Sequence, residues 1–160
     1  MDTELKSVKL LRVSEELLKS NEQPLLAICQ LLNSLYHHFN WVGFYFMNDT
    51  QKILKVGPYV GEVTYHSSIP YGKGICGQVA ISGNTFVVDN VGEQDNYLAC
   101  SISTKAEIVV PLYYTNKLIG QLDIDSDVES LFTDEDRILL ENLCDLIAKY
   151  PNSFSSHLPE

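Results

Sequence analysis

The chain has 160 residues, of which 45% are hydrophobic and 20% charged, and its formal net charge is −10. These values are typical of one folded domain with a sizeable core, and the acidic excess argues against nucleic acid or an anionic membrane as a partner. No apolar run approaches the ~20 residues of a membrane helix, and the first residues, MDTELKSVKLL, lack the apolar core of a signal peptide, so a cytoplasmic location is expected.

Apolar residues recur at helical spacing near both ends of the chain. Two leading helices are predicted, over residues 3–20 and 25–38. Their apolar faces could cover a sheet or form the interface of a homodimer. A last helix is predicted over residues 133–150, where Thr133 and Asp136 resemble a capping box.

The middle of the chain has strand character, with short turns between most segments. Strands are predicted in four short segments, at residues 40–46, 52–56, 63–69 and 86–88. A β-hairpin follows, in which apolar residues flank the polar turn Thr115-Asn116-Lys117. The sequence therefore predicts an α+β domain over residues 1–150, with leading helices in 1–39 and a mainly antiparallel sheet of about six strands flanked by helices. Residues 151–160 are predicted to be a flexible tail.

A glycine-rich segment, PYGKGICGQVA, contains the spacing GxGxxG at Gly72, Gly74 and Gly77. A dinucleotide site is not predicted, because Ser82-Gly83-Asn84 ends the following helix within about two turns. The backbone N–H groups at the start of this short helix would suit a carboxylate. Cys76 lies in its first turn, where a helix dipole lowers a thiol pKa.

Four cysteines, at positions 29, 76, 100 and 144, are widely spaced and form no CxxC motif. The spacing therefore predicts free thiols and no zinc site or other metal site. Cys29 and Cys144 fall in amphipathic helical patterns and are expected to be inert core residues. Cys76 and Cys100 fall in loop-like sequence and are the candidates for chemistry.

Three acidic residues lie on the predicted hairpin after Cys100. Glu107 begins the first strand, and Asp123 and Asp125 share one face of the second because strand side chains alternate. Buried carboxylates at this spacing repel each other and lose hydration. A fold tolerates them mainly where a ligand binds or a proton is shared.

The first strand, NWVGFYF, places Trp41, Gly43 and Tyr45 on one face. Glycine between two aromatic residues leaves room for close approach to the backbone. Core packing and a ligand pocket are both open interpretations of this pattern.

The combination of segments in this chain resembles the free methionine-(R)-sulfoxide reductases, which are single GAF domains. The matching segments cover roughly residues 40–148 and are NWVGFYF, GPYVGE, IPYGKGICGQVA, ACS, EIVVPL, LIGQLDIDS and FTDEDRILLENL. The GAF pattern alone serves many small-molecule sensors. The combination with a cysteine seven residues before EIVVPL and with LDIDS is more specific.

The resemblance implies a role for each matching residue. It places the catalytic cysteine at Cys100, a further cysteine at Cys76, and an aromatic pocket for the methyl end of the substrate at Trp41 and Tyr45. It places the three substrate-binding acids at Glu107, Asp123 and Asp125.

Two positions depart from the family pattern. His66 stands where many members carry the cysteine that forms a disulfide with the catalytic one, and Ser101 stands where many carry aspartate. Three routes after catalysis stay open: Cys76 resolves Cys100, an external thiol reduces it, or the protein does not turn over. His66 is interpreted as a solvated loop residue rather than a base.

The implied activity is thiol-dependent reduction of free L-methionine-(R)-sulfoxide to L-methionine, an antioxidant repair reaction. Cys100 would become a sulfenic acid, and Glu107, Asp123 or Asp125 would supply the proton. No bound cofactor is expected, only an external, thioredoxin-like thiol reductant. The alternatives are a non-catalytic GAF sensor of a small molecule and a thiol redox sensor built on Cys100.

Overall fold

A computed structural model describes residues 2–98 and 103–160 of the chain. Four helices and six strands form its framework. The helices are α1 (Thr3–Ser20), α2 (Pro24–Leu35), α3 (Gly74–Ser82) and α4 (Asp134–Ala148). The strands are β1 (Trp41–Asn48), β2 (Ile53–Val60), β3 (Ser68–Pro70), β4 (Phe86–Val88), β5 (Ala106–Tyr114) and β6 (Lys117–Ser126).

The six strands form one sheet in the order β3-β2-β1-β6-β5-β4, and every neighbouring pair is antiparallel. Helices α1, α2 and α4 pack their apolar residues on one face of the sheet, and α3 packs on the other face. The predicted α+β class with an antiparallel sheet of about six strands is confirmed. Among the described residues, none of the helices combines the length and apolarity needed to cross a bilayer.

The helix boundaries follow from local capping chemistry. The Asp2 side chain accepts a hydrogen bond from the backbone N–H of Leu5 and begins α1. At α4, Thr133 and Asp136 form the predicted capping box, in which each side chain accepts a hydrogen bond from the backbone N–H of the other residue. Helix α3 ends at Gly83, whose φ of 70° lies in the left-handed region.

The hairpin between β5 and β6 has a two-residue turn. Thr115 and Asn116 both have positive φ, 49° and 65°, as a type I′ turn requires. This turn twists in the same sense as the strands and fixes their register. Lys117, predicted to lie in the turn, is the first residue of β6.

Three predicted boundaries are wrong. Strand β2 continues through Gly57 and Pro58, because a bulge places these two residues opposite the single residue Phe44. Proline has no N–H to donate to a neighbouring strand, and at a bulge this donor is not needed. The third strand is only Ser68–Pro70 rather than 63–69, because residues 61–67 instead hold side chains of β1, as described below.

The second helix stops at Leu35 rather than His38. The chain there becomes extended at Tyr36, whose ring stacks on Phe39 with centroids 4.6 Å apart.

The segment after α4, predicted to be a flexible tail, packs on the domain in the structure. It forms two short 3-10 turns, Pro151–Ser153 and Ser155–His157. Phe154 between them is only 1% exposed and meets the Tyr114 ring edge-on at 5.4 Å. The segment has a loop-like composition, so the sequence did not predict that the single apolar residue Phe154 would hold it against the core.

Candidate functional site

The site lies on the face of the sheet that α3 covers. Strand β1 sends Trp41 and Tyr45 to this face and Phe44 to the opposite core, as the alternation of the sequence predicts. In the register of β1 with β6, Trp41 lies opposite Asp125 and Tyr45 lies opposite Gln121. The aromatic and acidic residues of the two strands therefore share one surface.

The three acidic residues converge on that surface. Glu107 of β5 lies opposite Asp125 of β6, while Asp123 lies between Val109 and Gly43. The three carboxyl side chains are buried, at 3%, 1% and 0% exposure for Glu107, Asp125 and Asp123. Buried acids at this density are costly unless they bind something or share protons.

Cys76 joins the acids from the other side of the cleft. It lies in the first turn of α3, as predicted, and its Sγ donates a hydrogen bond to Oδ2 of Asp123 at 3.3 Å. Sγ of Cys76 and one carboxylate oxygen each of Glu107 and Asp123 all lie within 4.8 Å of one another. The predicted position of Cys76 at the start of α3 therefore places its thiol in direct contact with the acid cluster.

Asp123 has the most perturbed environment of these groups. Complete burial raises the pKa of its carboxyl above the ordinary value, while polar interactions with Glu107 and Cys76 act in the opposite direction. Desolvation is the dominant cause, so the Asp123 carboxyl holds its proton to a higher pH than an ordinary aspartate does. A carboxylic acid of this kind can donate a proton to a bound substrate.

An aromatic wall, formed by Trp41, Tyr45 and Tyr59, borders the acids. The Trp41 ring stacks on Tyr59 at 5.0 Å and on Tyr45 at 6.1 Å between centroids. Its Nε1 donates to the carbonyl of Glu62, and the Tyr45 hydroxyl donates to the carbonyl of His66. The wall therefore holds the 61–67 loop over this part of the site.

Gly43 makes the tight packing of the aromatic wall possible. A Cβ at this position would lie 2.5 Å from the Trp41 ring and 2.5 Å from Cβ of Tyr59. Of the two sequence interpretations, close packing around Gly43 is the one that the structure displays, and the wall it permits also borders the acids.

We expect Gly43→Ala to lower the free energy of unfolding by about 1–3 kcal/mol, because the added methyl group overpacks the wall. Urea unfolding measures this loss. Gly92→Ala, at an exposed position of the 3-10 turn Val91–Glu93, is the matched control and should cost less. Equal losses in the two variants would show that the wall has room for a side chain.

The glycine-rich segment is tied to the chain that leads toward Cys100. The N–H of Gly74, a residue with φ of 66°, donates to Oδ1 of Asn96 at 2.9 Å. The Asn96 amide in turn donates to the carbonyl of Gly72 at 2.7 Å. Asn96 was not predicted to belong to the site, although an asparagine in a polar loop often forms hydrogen bonds to nearby backbone groups.

A small cavity lies where these parts meet. Its volume is about 10 Å³, room for about one water molecule. The described residues that line it are His66, Ile69, Lys73, Gly74, Ile75, Cys76, Leu98, Glu107 and Asp123. His66, where the chain departs from the family pattern, lies in the 61–67 loop as predicted, is partly exposed, and also lines this cavity.

Gln121 is a further residue that sequence analysis missed. It is completely buried on the same face as Asp123, and its Nε2 donates to the carbonyl of Cys76 at 3.1 Å. Its place two residues before Asp123 was the available signal, because alternate residues of β6 point to one side. Gln121 fixes the first turn of α3 against the sheet.

The predicted cysteines divide into two groups. Cys29 and Cys144 are buried in the core with the helices, as expected, and burial raises the pKa of both thiols far above the ordinary value. Such thiols are inert. Cys100 and Ser101 lie outside the described residues.

Comparison with known proteins identifies the family of this chain. The model of the GAF domain matches residues 22–149. The free methionine-R-sulfoxide reductase of Escherichia coli is 39% identical over 104 residues, which make up 65% of this chain and 61% of that protein. The reductase of the same name from Saccharomyces cerevisiae is 34% identical over 134 residues, 76% of this chain and 74% of that protein.

A solved structure supports the same assignment. The free methionine-R-sulfoxide reductase of Neisseria meningitidis, solved in complex with its substrate, superposes with a TM-score of 0.88 and 29% sequence identity. The match covers 99% of this chain and 95% of that one. The chain therefore belongs to the GAF domain family and, within it, to the free methionine-R-sulfoxide reductases.

Proposed function

We propose that this protein reduces free L-methionine-(R)-sulfoxide to L-methionine, with Cys100 as the nucleophile. The observation that carries the proposal is the buried acid cluster of Glu107, Asp123 and Asp125 beside an aromatic wall. A free amino acid presents both a cationic ammonium group and an apolar methyl end. The two halves of this site complement those two features.

Different side chains bind different groups of the substrate. Ionised carboxylates among Glu107, Asp123 and Asp125 accept hydrogen bonds from the substrate ammonium. Trp41 and Tyr45 surround the S-methyl group with apolar ring surface. The N–H groups at the start of α3 suit the substrate carboxylate. A peptide-bound sulfoxide lacks both charged groups, so the site favours the free amino acid.

The chemical step reduces the substrate sulfur by two electrons and oxidises the Cys100 sulfur by two electrons. A buried acid, for which Asp123 is the best candidate by burial, protonates the sulfoxide oxygen. The Cys100 thiolate forms an S–S bond with the substrate sulfur as the S–O bond breaks, and the departing hydroxyl takes a second proton from solvent and leaves as water. Attack of water on Cys100 then releases methionine and leaves a sulfenic acid.

Two routes return Cys100 to its thiol, and both need an external thiol. Cys76 can condense with the sulfenic acid, lose water and form a disulfide that the external thiol opens. The external thiol can instead attack the Cys100 sulfenic acid directly, which releases water and forms a mixed disulfide that a second external thiol opens. The first route breaks the hydrogen bond from Cys76 to Asp123, whereas the second route leaves it in place.

A thioredoxin-like reductant and a cytoplasmic location are part of this proposal, since the cycle depends on a reducing compartment. A homodimer is a further part. Leu5 and Val8 lie one turn apart on α1 and are 57% and 59% exposed. Apolar side chains at this spacing suit a self-complementary contact between two copies.

The test is conversion of each methionine sulfoxide epimer to methionine in the presence of dithiothreitol, measured by chromatography. We expect the wild type to consume the free (R) epimer and Cys100→Ser to produce no methionine above background. Cys144→Ala, a core cysteine away from the site, is the matched control and should retain activity.

The Cys76→Ser variant separates the two routes of thiol recovery. Unchanged turnover with dithiothreitol assigns recovery to the external thiol, and a large loss assigns it to Cys76. A wild-type protein that produces no methionine under strong reductant would overturn the catalytic proposal. A ligand-binding GAF module would then be the better account.

A further inference from the structure

Possible metal-ligand atoms of three buried side chains form a compact group that no sequence motif predicts. Cys76 contributes Sγ from α3, Glu107 a carboxylate oxygen from β5 and Asp123 a carboxylate oxygen from β6. All three side chains are buried, and these atoms lie within 4.8 Å of one another. The group combines one sulfur and two oxygen ligands around a single point.

The spacing of these atoms is close to that of a metal site. Zinc bonds of about 2.3 Å to sulfur and about 2.0–2.2 Å to oxygen place tetrahedral ligand atoms roughly 3.3–3.6 Å apart. Sγ of Cys76 and Oδ2 of Asp123 are already 3.3 Å apart. The remaining distances, at most 4.8 Å, need a contraction of up to roughly 1.2–1.5 Å that side-chain rotation can supply.

A separate observation indicates that the group is built to accept a ligand. Oδ1 of Asp123 is completely buried and has no hydrogen-bond partner among the described residues. Asp123 also lines the small cavity together with Cys76 and Glu107. An unsatisfied buried carboxyl oxygen costs free energy, and a bound cation would recover it.

We propose that Cys76, Glu107 and Asp123 bind a divalent cation that accepts mixed sulfur and oxygen ligands, with Zn²⁺ as the probe. Binding displaces into solvent the proton of the Cys76 thiol and any proton that the Glu107 and Asp123 carboxyl groups hold, and it forms one metal–sulfur bond and two metal–oxygen bonds. The absence of a CxxC motif predicts no zinc site, but that criterion detects only ligands that are neighbours in sequence. These three come from separate elements.

The cation would occupy the place proposed for the substrate ammonium. Zn²⁺ is therefore an inhibitor that competes with methionine sulfoxide, and this consequence rests on the proposed function. The binding itself does not, because it depends only on the three side chains.

The binding test uses the Cys100→Ser protein, so that Cys100 cannot supply the thiolate. We expect isothermal titration to show one Zn²⁺ per chain, and Co²⁺ to give a thiolate-to-metal charge-transfer band. Adding Cys76→Ser should remove the band and weaken binding by more than the roughly 10- to 100-fold cost of losing an outer-shell partner. Asp123→Asn and Glu107→Gln should each weaken binding as well.

The controls are Asp127→Asn and Cys144→Ala in the same background. Asp127 is a half-exposed acid close in sequence to Asp125, and Cys144 is a core thiol. Both variants should bind Zn²⁺ with unchanged affinity. Binding that survives Cys76→Ser, or a folded Cys100→Ser protein that binds no Zn²⁺, would overturn the site.

A second arm measures inhibition in the wild type. Pre-reduced protein, freed of small thiols that chelate zinc, is mixed with methionine-(R)-sulfoxide for a single turnover with and without Zn²⁺. The amplitude or rate should fall with Zn²⁺ and recover at high substrate concentration. Failure of turnover without Zn²⁺ overturns the proposed function and leaves the titration result standing. If turnover is normal and Zn²⁺ binds without affecting it, the inference that Zn²⁺ occupies the place of the substrate ammonium is wrong.

Discussion

Asp123→Asn is expected to lower kcat/KM for methionine-(R)-sulfoxide by about 10²- to 10⁴-fold, the range for loss of a general acid. The amide keeps the shape of the side chain and can still accept the hydrogen bond of Cys76, but it cannot release a proton to the sulfoxide oxygen. Steady-state kinetics with dithiothreitol measures the effect. A variant within a few-fold of wild type would show that another group protonates the substrate.

The stability of the Asp123→Asn variant shows whether a loss of activity comes from the missing proton donor or from damage to the fold. Because burial raises the pKa of Asp123, this carboxyl favours the folded state at low pH, and its contribution is lost as pH rises toward the folded pKa. At neutral or higher pH the asparagine variant should therefore unfold at the same temperature as the wild type or at a higher one. A large fall in the unfolding temperature would mean that the activity loss reflects structure. Asp127→Asn is the matched surface control.

Trp41→Ala is expected to lower the free energy of unfolding by about 3–5 kcal/mol, the cost of deleting a large buried aromatic side chain. The Trp41 ring is almost completely buried, stacks on Tyr59 and anchors the carbonyl of Glu62. Its loss leaves a cavity in the aromatic wall and releases the 61–67 loop. Urea unfolding measures the change, and KM for the sulfoxide should rise in any variant that remains folded.

Trp41→Phe distinguishes the contribution of the aromatic ring from that of the Nε1 hydrogen bond. Phenylalanine keeps an aromatic face toward Tyr59 but loses the Nε1 donor, whose net contribution is about 0.5–1.5 kcal/mol. We expect this variant to be folded, with a smaller loss of stability and a smaller rise in KM than the alanine variant. An unchanged KM in both variants would remove Trp41 from the proposed substrate pocket.

Several features were predictable because they depend on local chemistry. The hairpin with its polar turn at Thr115 and Asn116, and the capping box at Thr133, follow from rules that span only a few residues. The shared face of Asp123 and Asp125 follows from the two-residue period of a strand. The role of Cys100 stays a prediction, since that residue lies outside the described part of the chain.

Other features depend on pairing between distant segments and were beyond local rules. Cys76 and Asp123 are 47 residues apart, and only the packing of α3 on the sheet joins them. Strand β2 passes through Gly57 and Pro58 because its partner β1 tolerates a bulge there. In each case a tertiary contact outweighs the preference of the local sequence.

The two edges of the sheet bear on how the protein behaves at high concentration. Strands β3 and β4, which flank the sheet, have only three residues each, and β3 ends at Pro70. A short edge that contains proline offers few backbone groups to an incoming strand. The fold thus resists polymerisation through strand addition, so copies that meet in a crowded solution are kept from growing into fibrils by way of these edges.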